Sequence, residues 1–261
     1  MTDDASTPIL TRDGAVATLR LNRPRHLNRI EPPDLAAIAA ALREVDADPA
    51  IRVMVFTGTG RAFSAGYHLG DLAERSDAAV TTGGPELSFE DVGLLLENCR
   101  VPTICRLNGG VYGGSTDLAL CCDFRIGIDS MEMFMPAARL GIHYYPSGMV
   151  RYASRLGLNA AKRLFLTADK LTAPELLAIG YLTQLQTAET LDAAVAALAE
   201  RLAAMAPLAV QGMKRALNEI ARGEFDAAAC AARAKASQAS EDVKEGLAAY
   251  REKRAPVFKG R

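Results

Sequence analysis

The chain has 261 residues, of which 49% are apolar and 23% charged, and its 30 basic and 31 acidic residues leave a net charge of −1. These values are typical of a globular chain that buries a sizeable core, and they argue against a basic nucleic-acid surface or a membrane-surface patch. The N-terminal segment MTDDASTPIL lacks the features of a targeting peptide, and no apolar run reaches the roughly 18 residues of a membrane span. We therefore expect a cytoplasmic protein with no nucleic-acid or membrane partner.

Cysteine use gives no indication of a metal site. The five cysteines form no CxxC pair, and the chain has only three histidines. Because protein zinc sites use closely spaced Cys and His ligands, we expect no metal and interpret the cysteines as small, buried apolar residues.

The first half of the chain alternates between strand and helix patterns. Apolar runs rich in branched side chains predict strands at 15–22, 51–58 and 101–108. Helical patterns are found at 32–48, at 88–100 and at the start of 115–127. This alternation predicts an α/β layer structure.

The second half is rich in alanine and leucine from about residue 159, which predicts a mostly helical region. Between the two glycine-rich loops described next, residues 73–88 are the best candidate for a surface loop. The acidic residues at its end, Glu86, Glu90 and Asp91, are interpreted as a solvated helix start rather than as part of a site.

Residues 108–117, NGGVYGGSTD, form a glycine-rich turn between a predicted strand and a predicted helix, with Ser115 or Thr116 as the expected helix cap. The spacing is close to that of a nucleotide-binding P-loop, but Ser115 follows Gly114 directly and the P-loop lysine is missing. Free N–H groups at a helix start can instead stabilise an oxyanion. A turn in which the glycines only permit close packing is the remaining alternative.

A second glycine loop, TGTGRAFSAGYHLGDL at 57–72, also follows a predicted strand. Phe63 occupies the third glycine position of a dinucleotide-binding fingerprint, which argues against that fold. If the two strands are neighbours, their loops can direct two backbone N–H groups at one point, which is what an oxyanion hole needs.

Both loops resemble signature segments of the enoyl-CoA hydratase/isomerase (crotonase) superfamily. The matching stretches are GRAFSAGYHLGDL and VPTICRLNGGVYGGSTDLALCCDFRIG, with further support from TLRLNRPRHLN, LFLTADKLTAPELLAIGYL and EGLAAYREKRAPVFKG. The resemblance implies an α/β fold with a spiral core of ββα turns and an acyl-CoA site in residues 1–195. It also implies a C-terminal helical region at 196–261 that builds a homotrimer, often doubled to a homohexamer.

The resemblance also implies roles for individual residues. The backbone N–H groups of Tyr67 and Gly114 would form the oxyanion hole for a thioester carbonyl. The residues expected along the coenzyme A path are Arg25, His26, Ala65, His68, Leu69 and Gly113, with Lys259 reaching the phosphates from a neighbouring subunit. Coenzyme A would be part of the substrate, so no separate cofactor is expected.

The chain departs from the family pattern at both acid positions. Hydratases of the family use two glutamates, and this chain has Asp117 at the first position and Ala137 at the second. Alanine cannot exchange a proton, and aspartate is one methylene shorter than glutamate. Asp117 is therefore the expected acid/base, although an acid in the first turn of a helix also simply complements the helix dipole.

The segment GIHYYPSG at 141–148 supplies possible substitutes for the missing glutamate. His143 is expected either to exchange protons near neutral pH or to shape the pocket. Tyr145 is expected to act as a proton donor or substrate anchor, or to pack as an aromatic ring.

The expected function is hydratase-like lyase chemistry on an enoyl-CoA thioester through a stabilised enolate. An isomerase, a thioester or C–C hydrolase, and a non-catalytic acyl-CoA-binding protein that has lost the second glutamate remain alternatives.

Overall fold

The computed structural model describes residues 7–68 and 87–261. The strands in these residues are β1 Ile9–Asp13, β2 Val16–Leu21, β3 Val53–Gly58, β4 Ala62–Ser64, β5 Thr103–Leu107, β6 Gly110–Tyr112, β7 Phe124–Ile128, β8 Glu132–Phe134, β9 Lys170–Thr172 and β10 Gln184–Gln186. The α-helices are α1 Pro32–Ala47, α2 Phe89–Glu97, α3 Ser115–Cys121, α4 Pro146–Leu156, α5 Leu158–Lys162, α6 Ala173–Ala178, α7 Leu191–Ala203, α8 Pro207–Arg222, α9 Ala227–Gln238 and α10 Glu241–Glu252.

The strands form two sheets, and successive pairs of strands along the chain add to both of them. The larger sheet has the order β1-β2-β3-β5-β7-β10, and the smaller sheet has the order β4-β6-β8-β9. After an antiparallel β1–β2 pair, the neighbours in the larger sheet are parallel, and β4, β6 and β8 are also parallel. Each strand pair β3–β4, β5–β6 and β7–β8 therefore adds one strand to each sheet, which produces a spiral of ββ units followed by helices.

Side chains that alternate along the central strands point into two separate layers of the core. In β3, Met54 and Phe56 face the main core with α1, α2 and α3, while Val53 and Val55 face the opposite side. On that opposite side α7 covers the larger sheet with an apolar stripe that includes Val195. Because both faces of β3 are covered, the strand is a continuous apolar run, as its sequence predicted.

The predicted strands at 15–22, 51–58 and 101–108 correspond to β2, β3 and β5, and the α/β prediction is confirmed. The helix predicted to begin in 115–127 ends at Cys121, and the rest of that stretch is the buried strand β7. The helical prediction for the second half holds except for β9 and β10. Most of the predicted loop at 73–88 lies outside the described residues.

The C-terminal helices α8, α9 and α10 follow α7, which packs on the larger sheet. The predicted boundary between residues 195 and 196 falls inside α7, and the division into two regions stays a prediction. Helix α8 exposes large apolar side chains at Met213, Leu217 and Ile220.

No single helix among the described residues has the length and apolar character of a membrane span. Helices α7 and α8 meet these criteria only as a pair, and they are bent by 107° at the break between them.

Candidate active site

The two glycine-rich loops lie side by side because they follow neighbouring parallel strands. β4 pairs with β6, so the segments after Ser64 and after Tyr112 leave the same edge of the smaller sheet. Gly66 has φ +93°, and a Cβ there would lie 2.6 Å from the carbonyl oxygen of Tyr112 and 3.4 Å from the backbone nitrogen of Gly114. Glycine is required at Gly66 both by this conformation and by this contact.

The hydrogen bonding of each loop determines where its N–H groups point. Ile30 donates its N–H to the carbonyl of Gly66, and His68 donates its N–H to the carbonyl of Ile30. In this parallel bridge the N–H of Tyr67, the residue between, points away from Ile30. Gly114 precedes α3, and within the described residues its N–H donates no hydrogen bond. A helix start offers such donors to an external acceptor.

Asp117 lies in the first turn of α3 and its side chain is fully buried. Its Oδ2 accepts a hydrogen bond from the hydroxyl of Tyr145 at 2.6 Å and forms an ion pair with Arg151. Its Oδ1 is also buried and accepts no hydrogen bond from any residue of 7–68 or 87–261. One oxygen of the carboxylate is thus anchored, and the other has no hydrogen-bond donor among the described residues.

The pKa of Asp117 is raised above its ordinary value. Burial is the largest cause, because it penalises the charged form. Arg151 and the Tyr145 hydroxyl act in the opposite direction by stabilising the ionised form, while the negative charge of Glu97 raises the pKa further. Proton affinity above that of an exposed aspartate suits a group that both accepts and returns a proton.

Two stacked tyrosines form one wall beside this carboxylate. The rings of Tyr144 and Tyr145 lie 4.2 Å apart, and the hydroxyl of Tyr144 donates to that of Tyr145 at 3.1 Å. A Cβ at Gly148 would lie 2.4 Å from the ring of Tyr144, so a larger residue there would displace the stack. The hydroxyl chain from Tyr144 through Tyr145 ends on Asp117.

Phe89, at the start of α2, closes the site from another side. Its ring lies 5.5 Å from that of Tyr67 and 6.4 Å from that of Tyr145, measured between centroids. A Cβ at Gly114 would lie 3.0 Å from the ring of Phe89. The neighbouring residue Glu90 accepts the N–H of Ser147 at 3.0 Å and so joins the start of α2 to the start of α4. This aromatic wall borders both glycine loops.

His143, the other residue predicted to substitute for the missing glutamate, is not hydrogen-bonded to Asp117. His143 is exposed, and its Nδ1 hydrogen-bonds the carbonyl of Tyr144 at 2.7 Å. Ala137 is buried in a 3₁₀ turn after β8 and presents no titratable group. Among the described residues no group of three or more His, Cys, Asp or Glu side chains could hold a metal ion.

Comparison with known proteins identifies the family. The sequence profile described as enoyl-CoA hydratase/isomerase matches residues 11–261. A crotonyl-CoA hydratase from Syntrophomonas wolfei subsp. wolfei is 33% identical over 254 residues, which cover 96% of each chain. A 2,3-dehydroadipyl-CoA hydratase from Escherichia coli (strain K12) is 31% identical over 257 residues, which cover 97% of this chain and 98% of the relative. The chain belongs to the enoyl-CoA hydratase/isomerase family.

Solved structures of the family have the same fold. An enoyl-CoA hydratase/carnithine racemase from Magnetospirillum magneticum superposes with a TM-score of 0.91 and 28% identity, over 98% of this chain and 96% of that chain. The crotonase-type fold predicted from the signature segments is therefore confirmed, and so is the prediction of an enzyme of this family. The roles of individual residues within it stay predictions.

The residues predicted along a coenzyme A path lie partly together. Arg25 and His26 are exposed on a 3₁₀ turn, and the N–H of Ala65 bonds the carbonyl of Leu27 in the next turn at 2.7 Å. Ala65 leads directly into the Gly66 loop, which His68 follows, and Gly113 lies in the loop alongside with φ +55°. Leu69 lies outside the described residues.

Lys259 lies in the C-terminal tail, where the carboxylate of Asp242 accepts its backbone N–H at 2.6 Å. The side chain of Lys259 is exposed.

Three residues of the site were not found by sequence reasoning: Phe89, Glu97 and Arg151. Arg151 is 2% exposed and Glu97 is 3% exposed, although charged residues in helices are usually solvated. No local sequence pattern marks Arg151, because it lies 34 residues from Asp117 and 54 from Glu97 along the chain.

Proposed function

We propose that the protein adds water across the double bond of an enoyl-CoA thioester, with Asp117 as the acid/base. The thioester carbonyl oxygen would be received by the backbone N–H groups of Tyr67 and Gly114, which stabilise the enolate that forms. Membership of the family supports an acyl-CoA substrate, and coenzyme A enters as part of that substrate. The proposed reaction needs no further cofactor.

The proposal rests above all on the two oxygens of Asp117. Oδ2 is anchored by Tyr145 and Arg151, so the side chain has a defined orientation. Oδ1 is buried and has no hydrogen-bond donor among the described residues. A preorganised carboxylate with one oxygen that lacks a hydrogen-bond donor is suited to orient a water molecule and take its proton.

The proposed steps balance with a single carboxylate. The oxygen of water bonds to Cβ of the substrate while one of its protons passes to Oδ1 of Asp117. The electron pair of the double bond moves to the thioester oxygen between the two N–H groups. When the carbonyl reforms, Cα takes the proton from Asp117, which is again ionised. This scheme requires no second acid and is therefore compatible with Ala137.

We propose different roles for the other predicted residues. Tyr145 orients Asp117 through its hydroxyl and borders the acyl pocket. His143 is assigned to the pocket entrance, since its exposed ring is bonded to a neighbouring carbonyl. Arg25 and His26 are assigned to the coenzyme A path, together with Ala65, His68, Leu69, Gly113 and Lys259.

We also propose a homotrimer or homohexamer in the cytoplasm. The exposed apolar side chains Met213, Leu217 and Ile220 lie three and four residues apart on α8, which places them on one face. Leu217→Arg is expected to shift the mass measured by light scattering toward that of a monomer. An unchanged mass would remove this face from the assembly.

Proton transfer alone is the second candidate reaction. A single carboxylate next to an oxyanion hole can move a proton from one carbon of the acyl chain to another. Isomerisation would leave the mass of the substrate unchanged.

The test is product detection by mass spectrometry on a panel of enoyl-CoA and aryl-CoA thioesters, with Asp117→Ala and His143→Ala beside the wild type. We expect a gain of one water that is lost in Asp117→Ala and retained in His143→Ala. A chromatographic shift at constant mass would indicate isomerisation. Free thiol would indicate thioester hydrolysis, and retention of ligand without turnover would indicate a binding protein.

A further inference from the structure

Glu97 is a buried carboxylate at the end of α2 that joins three helices. Its Oε1 accepts hydrogen bonds from Arg151 and Arg155, each at 3.1 Å. Its Oε2 accepts from Arg151 at 3.3 Å and from Arg222 at 3.4 Å. Its backbone carbonyl accepts the side-chain amide of Asn218 at 2.9 Å. One side chain of α2 is thus held from α4 and from α8.

Arg151 connects Glu97 to Asp117. Its Nε and Nη2 form two bonds to Glu97, and its Nη1 pairs with Oδ2 of Asp117. The guanidinium is planar and rigid, so its two acidic partners are fixed relative to each other. All three side chains are at most 4% exposed, and interactions between charges are stronger there than in water.

The other titratable groups that face Asp117 are neutral over the range in which a carboxyl group titrates. They belong to α3, to α4 and the segment before it, and to the turn before β10, and they are Cys121, Tyr144, Tyr145, Tyr152 and Tyr181. Burial raises the pKa of each well above its ordinary value. Among the charged groups, Arg151 and Glu97 act most strongly on Asp117.

We infer that Glu97 is a positioning residue, which acts through Arg151 to orient the carboxylate of Asp117 and to share the positive charge that this carboxylate faces. The effect on the rate rests on the proposed function, whereas the effect on Asp117 itself does not. The positive charge of Arg151 is shared between the carboxylates of Glu97 and Asp117. Each carboxylate stabilises Arg151, but neither receives the full attraction of its charge. Glu97 also adds a negative charge near Asp117.

The direction of the effect follows from these charges. Burial and Glu97 raise the pKa of Asp117, and Arg151 lowers it. Neutralising Glu97 leaves Asp117 as the carboxylate partner of Arg151, so Asp117 should stay ionised to lower pH. Removing Arg222 leaves Glu97 less compensated, so Asp117 should hold its proton to higher pH.

The test is the titration of Asp117 by carbon-13 NMR of labelled aspartate side chains, with Asp117→Asn to assign the signal. Glu97→Gln is compared with Glu219→Gln, a matched control. Glu219 is 8% exposed and paired with Arg215 and Arg233, but it has no bond to Arg151. Arg222→Gln is the second variant, because Arg222 is only half-buried and contacts neither Asp117 nor Arg151 directly.

We expect the midpoint of Asp117 to move to lower pH in Glu97→Gln, to higher pH in Arg222→Gln, and not at all in Glu219→Gln. The acid limb of the kcat/KM profile should move in the same directions. A midpoint in Glu97→Gln equal to that in Glu219→Gln would overturn the inference. If Glu97→Gln does not fold, an unchanged midpoint in Arg222→Gln would overturn it.

The titration separates this inference from the proposed function. Shifted midpoints in a protein without turnover would refute the proposed reaction and support the positioning role. Turnover that depends on Asp117, with unshifted midpoints, would support the proposed reaction and refute the positioning role.

Discussion

Replacing Tyr145 by phenylalanine removes one hydroxyl group and keeps the ring. The ring should retain its 4.2 Å stack on Tyr144 and its contact with Phe89. The lost bond is the 2.6 Å hydrogen bond to Oδ2 of Asp117, a length typical of a hydroxyl that donates to an ionised acceptor. Hydrogen bonds to charged groups contribute about 1.5–3 kcal/mol, which corresponds to a roughly 10- to 160-fold decrease in kcat/KM.

The pH dependence of this variant has a defined sign. The Tyr145 hydroxyl lowers the pKa of Asp117 against the larger effect of burial, so its loss raises the pKa further. If ionised Asp117 accepts the proton of water, the acid limb of kcat/KM should move to higher pH in Tyr145→Phe. Tyr112→Phe is the matched control, because its hydroxyl donates to Glu132 at 3.1 Å. Wild-type kcat/KM and an unshifted acid limb in Tyr145→Phe would refute the role given to this hydrogen bond.

Two further changes test the geometry and the core. Gly66→Ala places a Cβ 2.6 Å from a carbonyl oxygen of the neighbouring loop, at a φ of +93°. The kcat should therefore fall by about 100-fold while the circular dichroism spectrum stays unchanged. Activity near that of the wild type would mean that the two loops can move apart without loss of catalysis. Burial raises the pKa of Cys99 to about 12, so a thiol reagent should modify the half-buried Cys230 first and Cys99 only after denaturation. Equal rates for both thiols in the native protein would contradict the packing described.

The fold was predictable because its sequence signals are local. The strand β3 and the helix α1 were recognisable from apolar patterns. Each glycine-rich loop was recognisable from its own glycine residues. The end of the helix that starts at residue 115 was not predictable: Cys121, Cys122 and the apolar residues around them suit a buried helix and a buried strand equally well, and only the pairing of β7 with β5 decides between them.

The active site was predictable only in part, because its remaining contacts join distant segments. Asp117 could be found from its place after Gly114, and Tyr145 from its aromatic stretch. The bond between them spans 28 residues, and the Arg151–Glu97 pair spans 54. Such pairs have no local pattern, since the energy of a buried charge depends on a partner that only the fold supplies.

Proton exchange by Asp117 is tested most directly by a substitution that removes its acid/base group and keeps its shape. Asp117→Asn keeps the shape of the side chain, and Arg151 keeps its two bonds to Glu97. General acid–base catalysis contributes about 10²- to 10⁴-fold. For a CoA thioester that the wild type converts, kcat/KM should therefore fall by about that factor in Asp117→Asn, with the Kd from calorimetry nearly unchanged. Turnover close to that of the wild type with the same Kd would contradict the account.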